Sequence, residues 1–84
     1  MVSDEVVRDI LRQNEAMSGI VDGLGEDEDL FEKGLDSFGS VQLMLALEER
    51  FEVEFPDTLL NRRSFSTIRI IRETVSKLSM GAAA

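Results

Sequence analysis

The sequence LDSFGSVQLMLALEERFEVEFPD, residues 35–57, decides the fold. Asp36 and Ser37 stand near its start. Both residue types are preferred where helices begin, because their side-chain oxygens accept hydrogen bonds from the free N–H groups of the first turn. Pro56 ends the pattern and keeps the residue before it extended. We therefore predict a helix from Asp36 or Ser37 to about Phe51.

This predicted helix is apolar on two faces. One face carries Leu43, Met44, Leu47 and Phe51, and the other carries, at spacings of three and four, Phe38, Val41 and Leu45. A helix that is apolar on more than one face is either fully buried or presents one stripe to a partner. The second stripe therefore has two interpretations: it packs against the preceding loop, or it contacts another protein.

A helix and a long loop are predicted before this stretch. The helix starts at Ser3 or Asp4 and ends near Gly19, and its apolar stripe consists of Val6, Val7, Ile10, Leu11 and Met17. Residues 20 to 36 form an acidic loop, and we expect Leu30-Phe31 to enter the core and pin it. Long ordered loops in small domains are often functional.

After Pro56 we expect a short helix near Thr58–Arg62 and a last helix that starts around Ser66. The apolar stripe of the last helix consists of Ile68, Ile71, Val75 and Leu78. The 84 residues allow one domain, with a folded core over about residues 4–79 and a flexible tail at 80–84. The predicted fold is all-α, a bundle of three main helices plus one short helix, with a long loop between the first two.

The composition argues against an enzyme. The chain has no cysteine and no histidine, so a thiolate nucleophile, a zinc-thiolate site and the usual general base near neutral pH are all missing. No run of about 20 apolar residues is present to span a membrane. The acidic N-terminal segment also lacks the pattern of a secretion signal. We therefore expect a cytoplasmic protein.

The net charge of −8 is concentrated in the middle of the chain. Residues 22–56 contain eleven acidic and two basic residues, whereas residues 57–84 contain two acidic and five basic ones. Such a centre repels nucleic acid and attracts proteins with basic patches, or it only keeps a small domain soluble. Glu48 and Glu49 lie near the end of the central helix, where the helix dipole disfavours acids, so they suit a role other than helix stability.

The position of Ser37 at a helix start has three interpretations. The first is an ordinary N-cap. The second, a nucleophile elbow, fails because it requires glycine at position 35, which is leucine, and because the chain has no histidine to take the proton. The third is an attachment point, since a phosphodiester there faces free N–H groups and the positive end of the helix dipole. The attached arm would supply the thiol that the chain lacks.

A calcium-binding loop is excluded by spacing. Such a loop needs oxygen ligands at its first, third and fifth positions. A register that starts at Asp22 places Leu24 third, and one that starts at Asp29 places Phe31 third. No metal site is predicted.

The stretch 35–57 resembles the signature and second helix of acyl carrier proteins, whose hallmark is an Asp-Ser-Leu-type triplet with a serine that bears 4′-phosphopantetheine. The resemblance covers most of residues 4–78, including the loop element Asp29-Leu30-Phe31-Glu32. It implies that Ser37 is the modified serine. It also implies that Asp36 helps to hold the metal ion while a phosphopantetheinyl transferase installs the arm.

The resemblance further assigns residues 37–51 to the docking helix of the family, with partner contacts through Phe38, Val41, Leu45, Glu48 and Glu49. Within the family, Gly39–Leu43 and Asn61–Thr67 are most similar to D-alanyl carrier proteins, which load a small amino acid. The implied protein is an aminoacyl or acyl carrier, a monomer and not an enzyme. Its expected partners are an adenylate-forming or synthetase-like ligase and an acceptor enzyme.

Two alternatives to this function remain open. A fatty-acyl or polyketide carrier would use the same chemistry with a larger apolar cargo. An acidic helical adaptor would carry no prosthetic group at all.

Overall fold

Three α-helices form the architecture of the computed structural model, which describes residues 2–82. They are α1 (Asp4–Arg12), α2 (Ser37–Phe51) and α3 (Ile68–Ala82), and the connections contain three 3-10 turns: Val21–Gly23, Asp57–Leu59 and Arg62–Phe65. Over residues 2–82 the chain forms no strand. The predicted all-α bundle of three main helices is confirmed. In place of one short helix near Thr58–Arg62, however, the chain forms the last two 3-10 turns, with Leu60 and the extended Asn61 between them.

Helix α1 begins where it was predicted and ends earlier. Ser3 is its N-cap, with the hydroxyl accepting the Val6 N–H at 3.4 Å. The predicted end at Gly19 is wrong, because the Asn14 side chain accepts the Ala16 N–H at 3.0 Å and so favours a turn over continued helix. Met17 is nevertheless fully buried, reaching the core from this turn.

Helix α2 has the predicted bounds, and its end is set by backbone geometry. Glu52 adopts a left-handed conformation with φ of 54°. The Val53 N–H then returns to the Glu48 carbonyl at 3.2 Å, which terminates the helix. The chain runs on extended to Pro56, as expected for residues before a proline.

The capping residue of helix α3 lies one residue later than predicted. Thr67 is its capping residue, because its hydroxyl accepts the Ile70 N–H at 3.0 Å, whereas the predicted cap Ser66 donates its hydroxyl to the Arg63 carbonyl. The helix continues to Ala82, so residues 80–82 are helical rather than the predicted tail. Ala83 and Ala84 lie outside the described residues.

The core is apolar and draws on every helix and on the long loop. Its fully buried side chains include Val7, Leu11, Met17, Leu30, Leu43, Leu47, Ile68, Ile71 and Val75. Below α2, the Phe55 and Phe65 rings pack with centroids 5.3 Å apart. Removal of this apolar surface from water is the main term that stabilises the bundle.

The long loop is tied to the start of α3 by backbone and side-chain bonds. Leu30 donates its N–H to the Ser66 carbonyl at 2.8 Å, and the Arg69 N–H donates to the Glu26 carbonyl at 3.0 Å. The Arg69 side chain also pairs with Glu26 at 2.8 Å and with Asp27 at 2.7 Å. Leu30 enters the core as predicted, whereas Phe31 is only partly buried and packs against the core. The loop is held at the start of α3.

Candidate functional site

Ser37 is the first residue of α2, and it does not cap the helix. The cap is Asp36, whose Oδ1 accepts the Gly39 N–H at 2.7 Å and whose carbonyl accepts the Ser40 N–H at 2.8 Å. The interpretation of Ser37 as an N-cap is therefore wrong. Its side chain is exposed, and within residues 2–82 no group hydrogen-bonds to its hydroxyl. The hydroxyl is thus available to another molecule.

The first turn of α2 is anchored by a buried asparagine that the sequence analysis did not single out. Asn14 is 6% exposed, and its Nδ2 donates to the Gly39 carbonyl at 2.9 Å. At Gly39 an added Cβ would lie 3.0 Å from Leu35 Cδ1 and 3.1 Å from Asp36 Oδ1, so a larger residue there would require these side chains to shift. The available signal was Asn14 itself, a polar residue three positions after Leu11, where the apolar stripe of the longer predicted helix would continue.

The start of α2 presents unpaired backbone N–H donors. Within residues 2–82, the backbone N–H groups of Ser37 and Phe38 have no hydrogen-bond acceptor. Free N–H groups at a helix start carry the positive end of the helix dipole, so they favour an anion. An anionic group attached to the neighbouring Ser37 hydroxyl would meet a favourable potential.

A groove of about 510 Å³ opens beside Ser37, between α2 and the segment before α3. Its walls are mainly apolar and comprise Phe31, Leu35, Val41, Met44, Leu60 and Phe65. Its polar lining consists of Asp36, Ser37, Ser40, Asn61 and Arg62. The groove can therefore accept a flexible chain that has a polar end at Ser37.

The second apolar stripe of α2 faces outward. The side chains of Phe38, Val41 and Leu45 are 70%, 51% and 54% exposed, so the interpretation that they pack against the loop is wrong. Across the groove Leu60 is also 47% exposed. Several large apolar side chains exposed on one side of so small a domain are typical of a surface that binds a partner.

The two glutamates predicted as charged contacts have different environments. Glu48 is half-buried, and its Oε2 accepts the Phe55 N–H at 2.9 Å, which ties the extended segment to α2. Glu49 is exposed. Glu48 therefore has a structural bond of its own, whereas Glu49 presents its charge to solvent.

Much of the acid in the long loop is neutralised within the protein. Asp22 pairs with Arg12 at 2.9 Å and Glu28 with Lys33 at 3.2 Å. The hydrogen bond from Arg69 lowers the pKa of Asp27, and the hydrogen bond from the Gly25 N–H, with help from Lys33, lowers the pKa of Glu28. Over residues 2–82, no group of three or more acids is placed to hold a metal ion. In the same part of the chain, no helix has the length and apolarity to cross a membrane.

Comparison with known proteins gives a consistent answer. Residues 5–73 match the family described as "Phosphopantetheine attachment site". An aminoacyl carrier protein from Agrobacterium fabrum is 47% identical over 75 residues, covering 89% of this chain and 90% of that protein. A D-alanyl carrier protein from Streptococcus uberis is 43% identical over 54 residues, covering 63% of this chain and 68% of that protein.

Two solved structures have the same fold as this chain. One is a carrier protein from Agrobacterium tumefaciens, crystallised with ATP and an engineered Bradyrhizobium japonicum glycine:[carrier protein] ligase. It aligns with a TM-score of 0.81 and 46% identity, covering 87% of this chain and 95% of that chain. A solution structure of the protein ATC2521, also from A. tumefaciens, aligns with a TM-score of 0.71 and 44% identity over 98% of this chain and all of that one. The resemblance inferred from residues 35–57 is confirmed, and the chain belongs to the phosphopantetheine attachment site family.

Proposed function

We propose that Ser37 bears 4′-phosphopantetheine and that this chain carries an aminoacyl group between enzymes as a thioester on that arm. The observation that carries the proposal is the exposed Ser37 hydroxyl at the first residue of α2, directly after the long loop. It forms no hydrogen bond within residues 2–82. The family match and the 47% identity to an aminoacyl carrier protein support it.

The residues around Ser37 fit such a group. The free N–H groups at the start of α2 favour the phosphodiester, and the apolar groove of about 510 Å³ accommodates the arm beyond it. When attached, the group supplies the thiol that a chain without cysteine does not have. Attachment joins the Ser37 oxygen to the phosphorus of the arm, breaks the pyrophosphate bond of coenzyme A, and releases adenosine bisphosphate and the hydroxyl proton.

Asp36 has two roles in the proposed modification, one for each carboxylate oxygen. Its Oδ1 caps α2 through the Gly39 N–H, while within residues 2–82 its Oδ2 has no hydrogen-bond partner. The free oxygen is therefore available to help hold the metal ion of the phosphopantetheinyl transferase. Asn14 donates to the Gly39 carbonyl and so helps to fix the first turn of α2, on which Ser37 lies.

The exposed side of α2 is the proposed docking surface, formed by Phe38, Val41, Leu45 and Glu49, with Glu48 at its buried edge. An adenylate-forming ligase docks on this surface while it loads the cargo onto the arm. An acceptor enzyme then docks in its place. The complex of the similar carrier protein with a glycine:[carrier protein] ligase supports a partner of this class. A small apolar contact with few charges suits weak, reversible binding, which a carrier needs in order to leave each enzyme.

The test is modification followed by loading. The wild-type protein and a Ser37→Ala variant are incubated with coenzyme A and a broad-specificity phosphopantetheinyl transferase, and their intact masses are measured. We expect the wild type to gain the mass of one arm and the variant to gain none. An unchanged wild-type mass would overturn the proposal in favour of an adaptor without a prosthetic group.

The cargo is tested on the modified protein. It is incubated with ATP and either amino-acid or fatty-acid ligases, and the bound group is weighed. We expect loading with a small amino acid. Loading by long fatty acids alone would contradict the aminoacyl assignment and leave the carrier function intact.

A further inference from the structure

Arg62 is the one cationic residue that lines the groove beside Ser37, within residues 2–82. It begins the 3-10 turn Arg62–Phe65, whose backbone is fixed because Asn61 Oδ1 accepts the Ser64 N–H at 3.0 Å and Phe65 is buried. The base of the Arg62 side chain is therefore held in place, while the side chain as a whole is exposed.

The Arg62 guanidinium lies over the Phe31 ring, with Cζ 4.4 Å from the ring centroid. This cation–π contact with a groove-lining ring does not use the N–H donors of the guanidinium as hydrogen-bond donors to an acceptor atom. Within residues 2–82 no acceptor hydrogen-bonds to the Arg62 side chain, so its donors are available in the groove.

Arg62 also has no anionic partner within residues 2–82. The ion pairs of this part of the chain engage Arg12, Lys33, Arg69 and Arg72. The groove also contains the Asp36 carboxylate, but no ion pair joins it to Arg62. The natural counter-ion of Arg62 is an anion brought to the groove from outside.

We propose that Arg62 is a positioning residue that binds the phosphodiester of the arm attached to Ser37. This inference rests on the function proposed above. Phosphate oxygens match the planar fork of arginine and accept two N–H groups at once. An aminoacyl cargo with a free ammonium group has the same sign of charge as Arg62, so the phosphate end of the arm is the end that Arg62 favours. The contact restrains the base of the arm along the groove.

The test compares Arg62→Gln with the matched control Arg63→Gln. Arg63 is the neighbouring residue, is exposed, has no acidic partner within residues 2–82 and does not line the groove. Each protein is modified with coenzyme A and transferase, and its mass shows that the arm is in place. Phosphorus NMR relaxation then reports the mobility of the phosphodiester, and thermal unfolding of the modified and unmodified forms gives the change in Tm on modification.

We expect the transverse relaxation time (T2) of the phosphorus to lengthen in Arg62→Gln, because the phosphodiester becomes more mobile, and to stay unchanged in Arg63→Gln. Modification should raise the Tm of the wild type and of Arg63→Gln by roughly 2–4 °C, and that of Arg62→Gln by less. The gain should shrink in 1 M salt, which screens exposed charges. An Arg62→Lys variant, which keeps the charge and loses the fork, should give intermediate values.

Equal effects of the two glutamine variants, or no effect of either, would overturn the role of Arg62 while the mass gain still supported attachment at Ser37. A wild-type protein that gains no mass would instead overturn the proposed function itself. The two failures are therefore distinguishable.

Discussion

Two adjacent residues at the start of α2 have different roles: one caps the helix, and the other presents a free hydroxyl. Asp36 accepts the Gly39 N–H and so satisfies a backbone donor that would otherwise be unpaired, whereas the Ser37 hydroxyl has no partner within residues 2–82. A cap of this kind typically contributes about 1 kcal/mol to the free energy of unfolding. The helix therefore depends on the aspartate and leaves the serine free to be modified.

This division predicts unequal effects of two alanine substitutions in the unmodified protein. Asp36→Ala should lower the free energy of unfolding by about 1 kcal/mol, and Ser37→Ala by less than about 0.5 kcal/mol. Urea unfolding followed by far-ultraviolet circular dichroism measures both, since the chain has no tryptophan or tyrosine to serve as a fluorescent probe. Equal losses, or a larger loss for Ser37→Ala, would restore the serine as the cap.

The bounds of a helix could be predicted from sequence where they depend on neighbouring residues. They were predicted less well where a side-chain contact or a contact with a distant residue sets them. The bounds of α2 were predicted from two local signals, the Asp-Ser start and Pro56, although the left-handed Glu52 ends the helix before the proline is reached. The early end of α1 depends on the Asn14 side chain, which bonds to Ala16 and to Gly39, 25 residues away. A pattern of apolar spacings contains no information on such a bond.

The candidate site divides in the same way. Ser37 was identifiable from its motif, and the exposure of the second apolar stripe was one of two readings of α2. The groove beside Ser37 was not predictable, because the contact between Arg62 and Phe31 joins two loops that are distant in sequence. The ion pairs of Arg69 with Glu26, 43 residues apart, also depend on the completed fold.

The end of α2 stores a small conformational strain that one substitution should relieve. Glu52 has φ of 54°, a left-handed conformation that costs about 1–2 kcal/mol for residues with a Cβ and little for glycine. Glu52→Gly should therefore raise the free energy of unfolding by about 0.5–1 kcal/mol, after allowance for the greater entropy of the unfolded chain.

Glu54→Gly is the matched control for this change. It removes the same charge close to the end of α2, but from an exposed residue in the extended segment. We expect no stabilisation from it, and urea unfolding of the two variants beside the wild type measures the difference. If both glycine variants were stabilised equally, the gain would come from the lost charge near the helix C-terminus and not from the left-handed conformation.

At the scale of the whole molecule, ion pairs join segments that are far apart in sequence. Arg72 on α3 pairs with Asp4 on α1 at 2.8 Å, and Arg69 pairs with Glu26 and Asp27 of the long loop. The loop that leads to Ser37 is thus held by charges as well as by Leu30. Its attachment to α3 should weaken when its carboxylates are protonated, which makes the stability of the fold depend on pH.

The sign of this dependence follows from the lowered pKa of Asp27, for which the hydrogen bond from Arg69 is the main cause. A carboxyl whose pKa is lower in the folded state stabilises the fold fully above its unfolded pKa, about 3.9, and loses that contribution as the pH falls through the folded value. Glu28, whose pKa is lowered chiefly by the Gly25 N–H, behaves in the same way but independently of Arg69.

The contribution of the Arg69 ion pairs with Asp27 and Glu26 can be isolated with an Arg69→Gln variant, because the part due to Glu28 is common to both proteins. The difference in Tm between wild type and Arg69→Gln should be constant above about pH 5 and should shrink progressively below about pH 4. Arg63→Gln, which removes the same charge from an arginine without an acidic partner within residues 2–82, should show no such change with pH. A difference for Arg69→Gln that stayed the same from pH 7 to pH 3 would mean that Arg69 acts through packing of its side chain and not through its carboxylate partners.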